Sequence, residues 1–124
     1  MAQQPTGEHR DRLPTLAATE FIETHLDHPL SVAAVALVAG MSARTLQATF
    51  RSRLQTTPTA YIRDRRLDRA RADLTAASHN RDTTVTEIAT RWGINHLGRF
   101  AVDYRARFGE SPSQTLRGHV RRPG

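Results

Sequence analysis

The sequence predicts an all-α protein, and three observations carry that prediction. Apolar residues recur at spacings of three and four, the period of one helix face. Serine, threonine, proline and glycine stand where helices would start and stop. One pattern of apolar and basic positions then occurs twice, about fifty residues apart.

Taken in order, residues 1–12 (MAQQPTGEHRDR) are polar and read as a disordered tail. They hold no apolar stretch of the kind a signal peptide needs. A first helix is predicted from Pro14 to Asp27, with Ala18, Phe21, Ile22 and Leu26 as its apolar stripe. It stops at His28-Pro29, because the residue before a proline avoids helical backbone angles.

Residues 31–54, SVAAVALVAGMSARTLQATFRSRL, form the first copy of the repeated pattern. Ser31 is an N-cap candidate, and Leu30 with Val35 fits a hydrophobic staple. Val32, Val35, Ala36 and Ala39 make one apolar side. Gly40 can supply the left-handed residue that ends a helix, and Ser42 can cap the next one. In that next helix Leu46, Phe50 and Leu54 face inward, while Arg44, Gln47, Ala48 and Arg51 fall on the opposite face. Two helices around a tight glycine turn make a helix-turn-helix, whose second helix enters the major groove of DNA. Taken alone, the stretch fits a plain helical hairpin equally well.

Thr57-Pro58 opens a long helix over 58–77, with Thr57 as cap and Pro58 at the first helical position. Ile62, Leu67, Ala70 and Leu74 are its packing residues. The charged run from Arg63 to Asp73 reads as a solvated surface laced with ion pairs, with one or two arginines in reach of phosphate. Ser78 to Thr83 is a loop. Residues 84–108 are the second copy. Thr84 and Glu87 have capping-box spacing. Val85, Ile88 and Ala89 repeat Val32, Val35 and Ala36, and Gly93 follows Ala89 as Gly40 follows Ala36. Phe100, Tyr104 and Phe108 repeat Leu46, Phe50 and Leu54, with one extra residue in the turn. Arg105 and Arg107 repeat Arg51 and Arg53. Ser111-Pro112 starts a last short helix carrying Leu116, Val120 is a further packing candidate, and 121–124 is frayed.

The repetition decides between the two readings of the first copy. A plain hairpin has no reason to recur with the same outward basic helix. A DNA reader does, since successive major-groove segments on one face of B-DNA lie ~34 Å apart. A connecting helix of about 20 residues spans roughly 30 Å. Charge agrees: the 124 residues carry a net charge of +6, the isoelectric point is near 11.3, and basic domains favour nucleic acid. All 18 basic side chains are arginine, a bias credited mainly to a GC-rich genome, although its planar fork suits guanine and phosphate.

At these residues the chain resembles the AraC/XylS family of bacterial transcription regulators. The resemblance covers about Phe21 to Arg117. It rests on VAAVALVAGMSARTLQATFR, TPTAYIRDRRLDRARADL and VTEIATRWGINHLGRFAVDYRARFGESP, with RFGESP the most characteristic. It implies a seven-helix domain over 13–120, with helix-turn-helix subdomains at 31–54 and 84–108 joined by the helix at 58–77. It also implies a cytoplasmic protein that binds double-stranded promoter DNA and contacts RNA polymerase.

The resemblance further implies recognition helices near Ala43–Arg53 and His96–Arg107. Base-reading candidates are Arg44, Gln47 and Ala48 in the first and Gly98, Arg99 and Val102 in the second. Arginine can hold guanine O6 and N7, glutamine can hold adenine N6 and N7, and Ala48 and Val102 offer only apolar contact. Ser42, Thr45, Arg51, Asn95, His96 and Arg105 are phosphate candidates, which position without specifying. Arg107 is expected to pair with Asp103 four residues earlier. Trp92 is read as core rather than as a base-stacking platform.

Other chemistry is set aside on residue grounds. Cysteine is absent, which excludes disulfides, thiol catalysis and cysteine metal sites. His25, His28 and Asp27 gather near a helix end without a third placed ligand, so no metal site is expected. No phosphate loop, nucleophile elbow or paired catalytic carboxylate occurs, so neither enzyme activity nor a cofactor is expected. No apolar run approaches the ~18 residues of a membrane span, and no effector-sensing domain is legible in this chain. A nonspecific architectural DNA binder and a helical protein-interaction module remain the alternatives.

Overall fold

The computed structural model describes residues 7–78, 80 and 82–118, with side chains from Arg12 onward. These residues form seven helices and no strand: α1 (Gly7–Thr24), α2 (Val32–Ala39), α3 (Ala43–Leu54), α4 (Pro58–Ala76), α5 (Val85–Arg91), α6 (Leu97–Phe108) and α7 (Pro112–Leu116). The chain divides into two compact units whose boundary, between Arg63 and Asp64, falls inside α4.

α1 differs from expectation at both ends. It begins at Gly7, ahead of the expected start at Pro14, and Pro14 lies within it. Residues 7–12 therefore belong to a helix rather than to the expected tail. Residues 1–6 lie outside the described residues, as do Val120 and 121–124. The periodicity is blind to the first turns because they are polar, and Pro14 costs one backbone bond rather than ending the helix. At the other end α1 stops at Thr24, and His25 to Asp27 form a turn. There His25 Nδ1 lies 2.8 Å from the Phe21 carbonyl. His28 Nδ1 lies 2.8 Å from Asp27 Oδ1, a contact that holds the Asp27 carboxyl below its ordinary range. Both histidines thus have local partners. Among the described residues no three histidine, cysteine, aspartate or glutamate side chains converge as a metal site would require.

In the first unit, α1 packs on α2 and α3. Ala18, Ile22, Leu26, Val35, Ala36, Ala39, Leu46, Phe50 and Ile62 are buried. Each large aliphatic or aromatic side chain removed from water contributes about 1.5–3 kcal/mol. Phe50 meets Tyr61 edge-on, with ring centroids 5.6 Å apart. Pro58 is buried and opens α4 under the Thr57 cap, whose hydroxyl accepts the Ala60 N–H at 3.1 Å.

The second unit has its own core of Leu67, Ala70, Leu74, Ile88, Ala89, Phe100 and Tyr104, with Trp92, Phe108 and Leu116 packed against it. Trp92 is half-buried against this core, and its indole N–H donates to Asp73 Oδ2 at 2.8 Å. Arg91 donates to the same oxygen at 2.9 Å. The buried Tyr104 hydroxyl donates to Thr115 Oγ1 at 2.7 Å, and the Thr115 hydroxyl donates in turn to Glu110. That chain ties α6 to α7, and burial pushes the Tyr104 phenol above its ordinary pKa. The full capping box is found at α7, where Ser111 and Gln114 cap each other reciprocally. At α5 the Thr84 half of the expected box is seen, accepting the Glu87 N–H at 3.1 Å.

Candidate nucleic-acid interface

Each unit contains one helix pair of the repeated kind, and the two turns are built alike. Gly40 and Gly93 both have positive φ, 69° and 72°, a conformation that disfavours residues with a Cβ. At the first turn the Met41 N–H reaches back to the Ala36 carbonyl at 2.9 Å, and at the second the Ile94 N–H reaches the Ala89 carbonyl at 2.9 Å. This bond, five residues back, satisfies a carbonyl that the helix end would otherwise orphan. α2 and α3 meet at a bend of 83°. α3 and α6 are each 12 residues long, and their buried positions correspond, Leu46 with Phe100 and Phe50 with Tyr104.

Once the inner seam is fixed, the outer face follows from helical geometry. Ser42, Arg44, Thr45, Gln47, Ala48 and Arg51 are all exposed in the first unit. Asn95, His96, Gly98, Arg99, Val102 and Arg105 are all exposed in the second. Each unit thus gathers its six candidates on and just before one helix. The buried seam also sets the register between the copies. Arg44 corresponds to Gly98, Thr45 to Arg99, Ala48 to Val102 and Arg51 to Arg105. Arg44 and Arg99 therefore occupy neighbouring positions in their helices rather than the same one.

The helix entrances differ. Ser42 caps α3, accepting the Thr45 N–H at 3.1 Å and donating to Thr45 Oγ1 at 3.0 Å. His96 holds the same position before α6 and makes no side-chain cap bond. Gly98 needs no glycine for its own fold, since a Cβ added there meets nothing within 4 Å and its φ is not positive.

The ion pairs overturn one expectation. Arg107 does not pair with Asp103. Its Nε donates to Asp68 Oδ1 at 2.8 Å, and its Nη1 lies 3.7 Å from Asp64 Oδ2. The Asp68 bond raises the Arg107 pKa further. The carboxylates of α4 compete for this arginine and win, because they are presented by a packed neighbouring helix. Asp103 is left to Arg99, with Nε to Oδ1 at 3.5 Å. That partnership has the same four-residue spacing. The α4 run is laced with ion pairs, as expected, and Arg65 also bridges to Asp68 at 3.1 Å. No single described helix is long and apolar enough to cross a membrane.

Two glycine-turned helix pairs with solvated basic recognition helices define a helix-turn-helix protein. A family model described as "Helix-turn-helix domain" matches residues 24–118. A probable AraC family transcriptional regulator from Rhodopseudomonas palustris superposes with a TM-score of 0.79 at 31% identity, over 88% of this chain and 99% of that one. The XylDLEGF operon transcriptional activator of Pseudomonas putida is 47% identical over 98 residues, 79% of this chain and 30% of the relative. The DNA-binding domain of AdpA, a global transcriptional factor solved with a target DNA, matches with a TM-score of 0.74 at 25% identity, over 86% of this chain and 92% of that one. The chain belongs to the AraC/XylS family, a family of transcriptional regulators and not of enzymes. It spans about a third of the length of that Pseudomonas putida activator and of a Rhodococcus erythropolis relative, 30% and 33%.

Proposed function

We propose that this chain binds double-stranded promoter DNA in a sequence-specific manner, with α3 and α6 each lying in a segment of major groove. One observation carries the reading: both helices bury one seam and turn every candidate contact residue to solvent. Arg44 and Arg99 read guanine, Gln47 reads adenine, and Ala48 and Val102 make apolar contact with thymine methyls. Ser42, Thr45, Arg51, Asn95, His96 and Arg105 hold the phosphates. Between Ser31 and Arg63 there is no aspartate or glutamate, so the α2–α3 pair brings no carboxylate of its own to phosphate. The DNA-binding domain of AdpA, a structural relative solved in complex with a target DNA, supports DNA as the partner. Regulation through RNA polymerase, in the cytoplasm and without catalysis by this chain, completes the reading. Its support is that the Pseudomonas relative is a transcriptional activator.

The test is binding of the 124-residue protein to a duplex selected from a random library and to random duplex, over a salt series. The expected preference for the selected site is at least about a thousandfold, with affinity falling steeply as salt rises. Equal affinity for both duplexes with the same steep slope would mean a nonspecific binder. No affinity for either would leave a protein-interaction module.

A further inference from the structure

We propose that Asp103 is a specificity-determining residue that sets how Arg99 presents itself to a guanine; this rests on Arg99 being a base reader. Arg99 is in the first turn of α6, the part of a recognition helix that meets base edges. Its side chain is 76% exposed, while the Asp103 side chain four residues on is 20% exposed. The carboxylate is therefore the more enclosed partner and the guanidinium the more solvated one. Helical side chains lean toward the N-terminus, so Asp103 leans back over the turn that carries Arg99.

The contact has a defined polarity. Asp103 Oδ1 takes the Nε side of the guanidinium, 3.5 Å away. A guanidinium offers two edges that can make paired bonds, one with Nε and one with the two terminal nitrogens. With Nε the atom nearest Asp103, the terminal pair is left for another partner, and that pair matches guanine O6 and N7. A solvated arginine would otherwise satisfy itself equally on a phosphate. An ion pair this exposed adds little to folding, so its consequence lies in orientation. The first unit has no such device. Ala48 stands four residues after Arg44, and the position corresponding to Asp103 is the buried Thr49.

Asp103 also acts when Arg99 is misplaced. A carboxylate on the recognition helix is repelled by phosphate, and it accepts a hydrogen bond from cytosine N4 but not from the thymine O4 or purine N7 acceptors. Losing it therefore widens the set of acceptable sequences and does not weaken binding everywhere.

The experiment is site selection from a random duplex library, followed by affinities on single-base variants of the selected site. It uses the full chain and its Asp103→Ala, Asp103→Asn, Arg99→Ala and Arg99→Ala/Asp103→Ala variants. Thermal melting confirms that each is folded. Asp103→Ala should lower discrimination about tenfold at one base pair, the same one that Arg99→Ala affects. Its affinity for random duplex should stay level or rise. Asp103→Asn should fall between, and the double variant should discriminate no worse than Arg99→Ala. If Asp103→Ala keeps wild-type discrimination while Arg99→Ala loses it, the positioning role is wrong and the base-reading role stands. If Arg99→Ala itself changes nothing at any position, both are wrong. A uniform loss across all variants of the site would mark Asp103 as merely structural and overturn the proposal.

Discussion

The two helix pairs share a backbone plan and differ in what surrounds their outward-facing residues. In the first, Ser42 closes the helix entrance and no carboxylate occurs from Ser31 to Arg63. In the second, the entrance residue His96 makes no side-chain cap, and the recognition helix carries its own Asp103 against Arg99. Even the buried aromatic differs: Phe50 is purely apolar, whereas Tyr104 ends in a hydrogen-bonded chain to Thr115 and Glu110. A duplicated fold preserves the seam and turn because packing and backbone geometry demand them. The outer face is under no such demand, and there the copies differ: one basic face carries no carboxylate and the other carries Asp103 beside Arg99.

The largest way to break this comparison is in the cores. Phe50→Ala and Tyr104→Ala should each destabilise the protein by about 3–5 kcal/mol in chemical denaturation. Near-zero cost for either would mean that its unit is not packed around that ring. Next come the readers. Arg44→Ala and Arg99→Ala should each cost roughly 1–3 kcal/mol on a selected site and relax preference at one position, read by titration against single-base variants. Unchanged discrimination would remove that arginine from the readout.

Helix entrances give a smaller contrast. Ser42→Ala should lose about 1 kcal/mol of stability, and His96→Ala should stay within about 0.5 kcal/mol of wild type, measured by thermal melting without DNA. Equal losses would contradict the cap difference. The pH dependence sharpens the core comparison further. The folded Tyr104 phenol ionises above the pH at which the unfolded one does. Its contribution is complete below the unfolded tyrosine value of about 10 and is lost as pH climbs through the folded value. Tyr104→Phe should flatten the fall in stability on the alkaline side, and an unchanged alkaline slope would refute this.

How much of this was legible in the sequence follows the same division. Helix seams were readable because burial imposes period: Ala18, Ile22, Leu46, Phe50, Ile88, Phe100 and Tyr104 were all placed inward and are buried. Turns and caps were readable because Gly40, Gly93, Ser31, Ser42 and Thr57 are chemically constrained there. The polar start of α1 was not, since a run of polar residues carries no apolar period. Ion pairing was the weakest point. Spacing along one helix offered Asp103 two arginines, and only the tertiary placement of Asp64 and Asp68 beside Arg107 assigns it to Arg99.

The most direct test of the central claim is selection of duplexes from a random library by the wild-type chain, repeated with Arg44→Ala and with Arg99→Ala. Two readers predict an enriched site with two separate conserved blocks, one block losing a base preference in the first variant and the other block in the second. A selection that enriches nothing, or one in which both variants return the wild-type site unchanged, would contradict it.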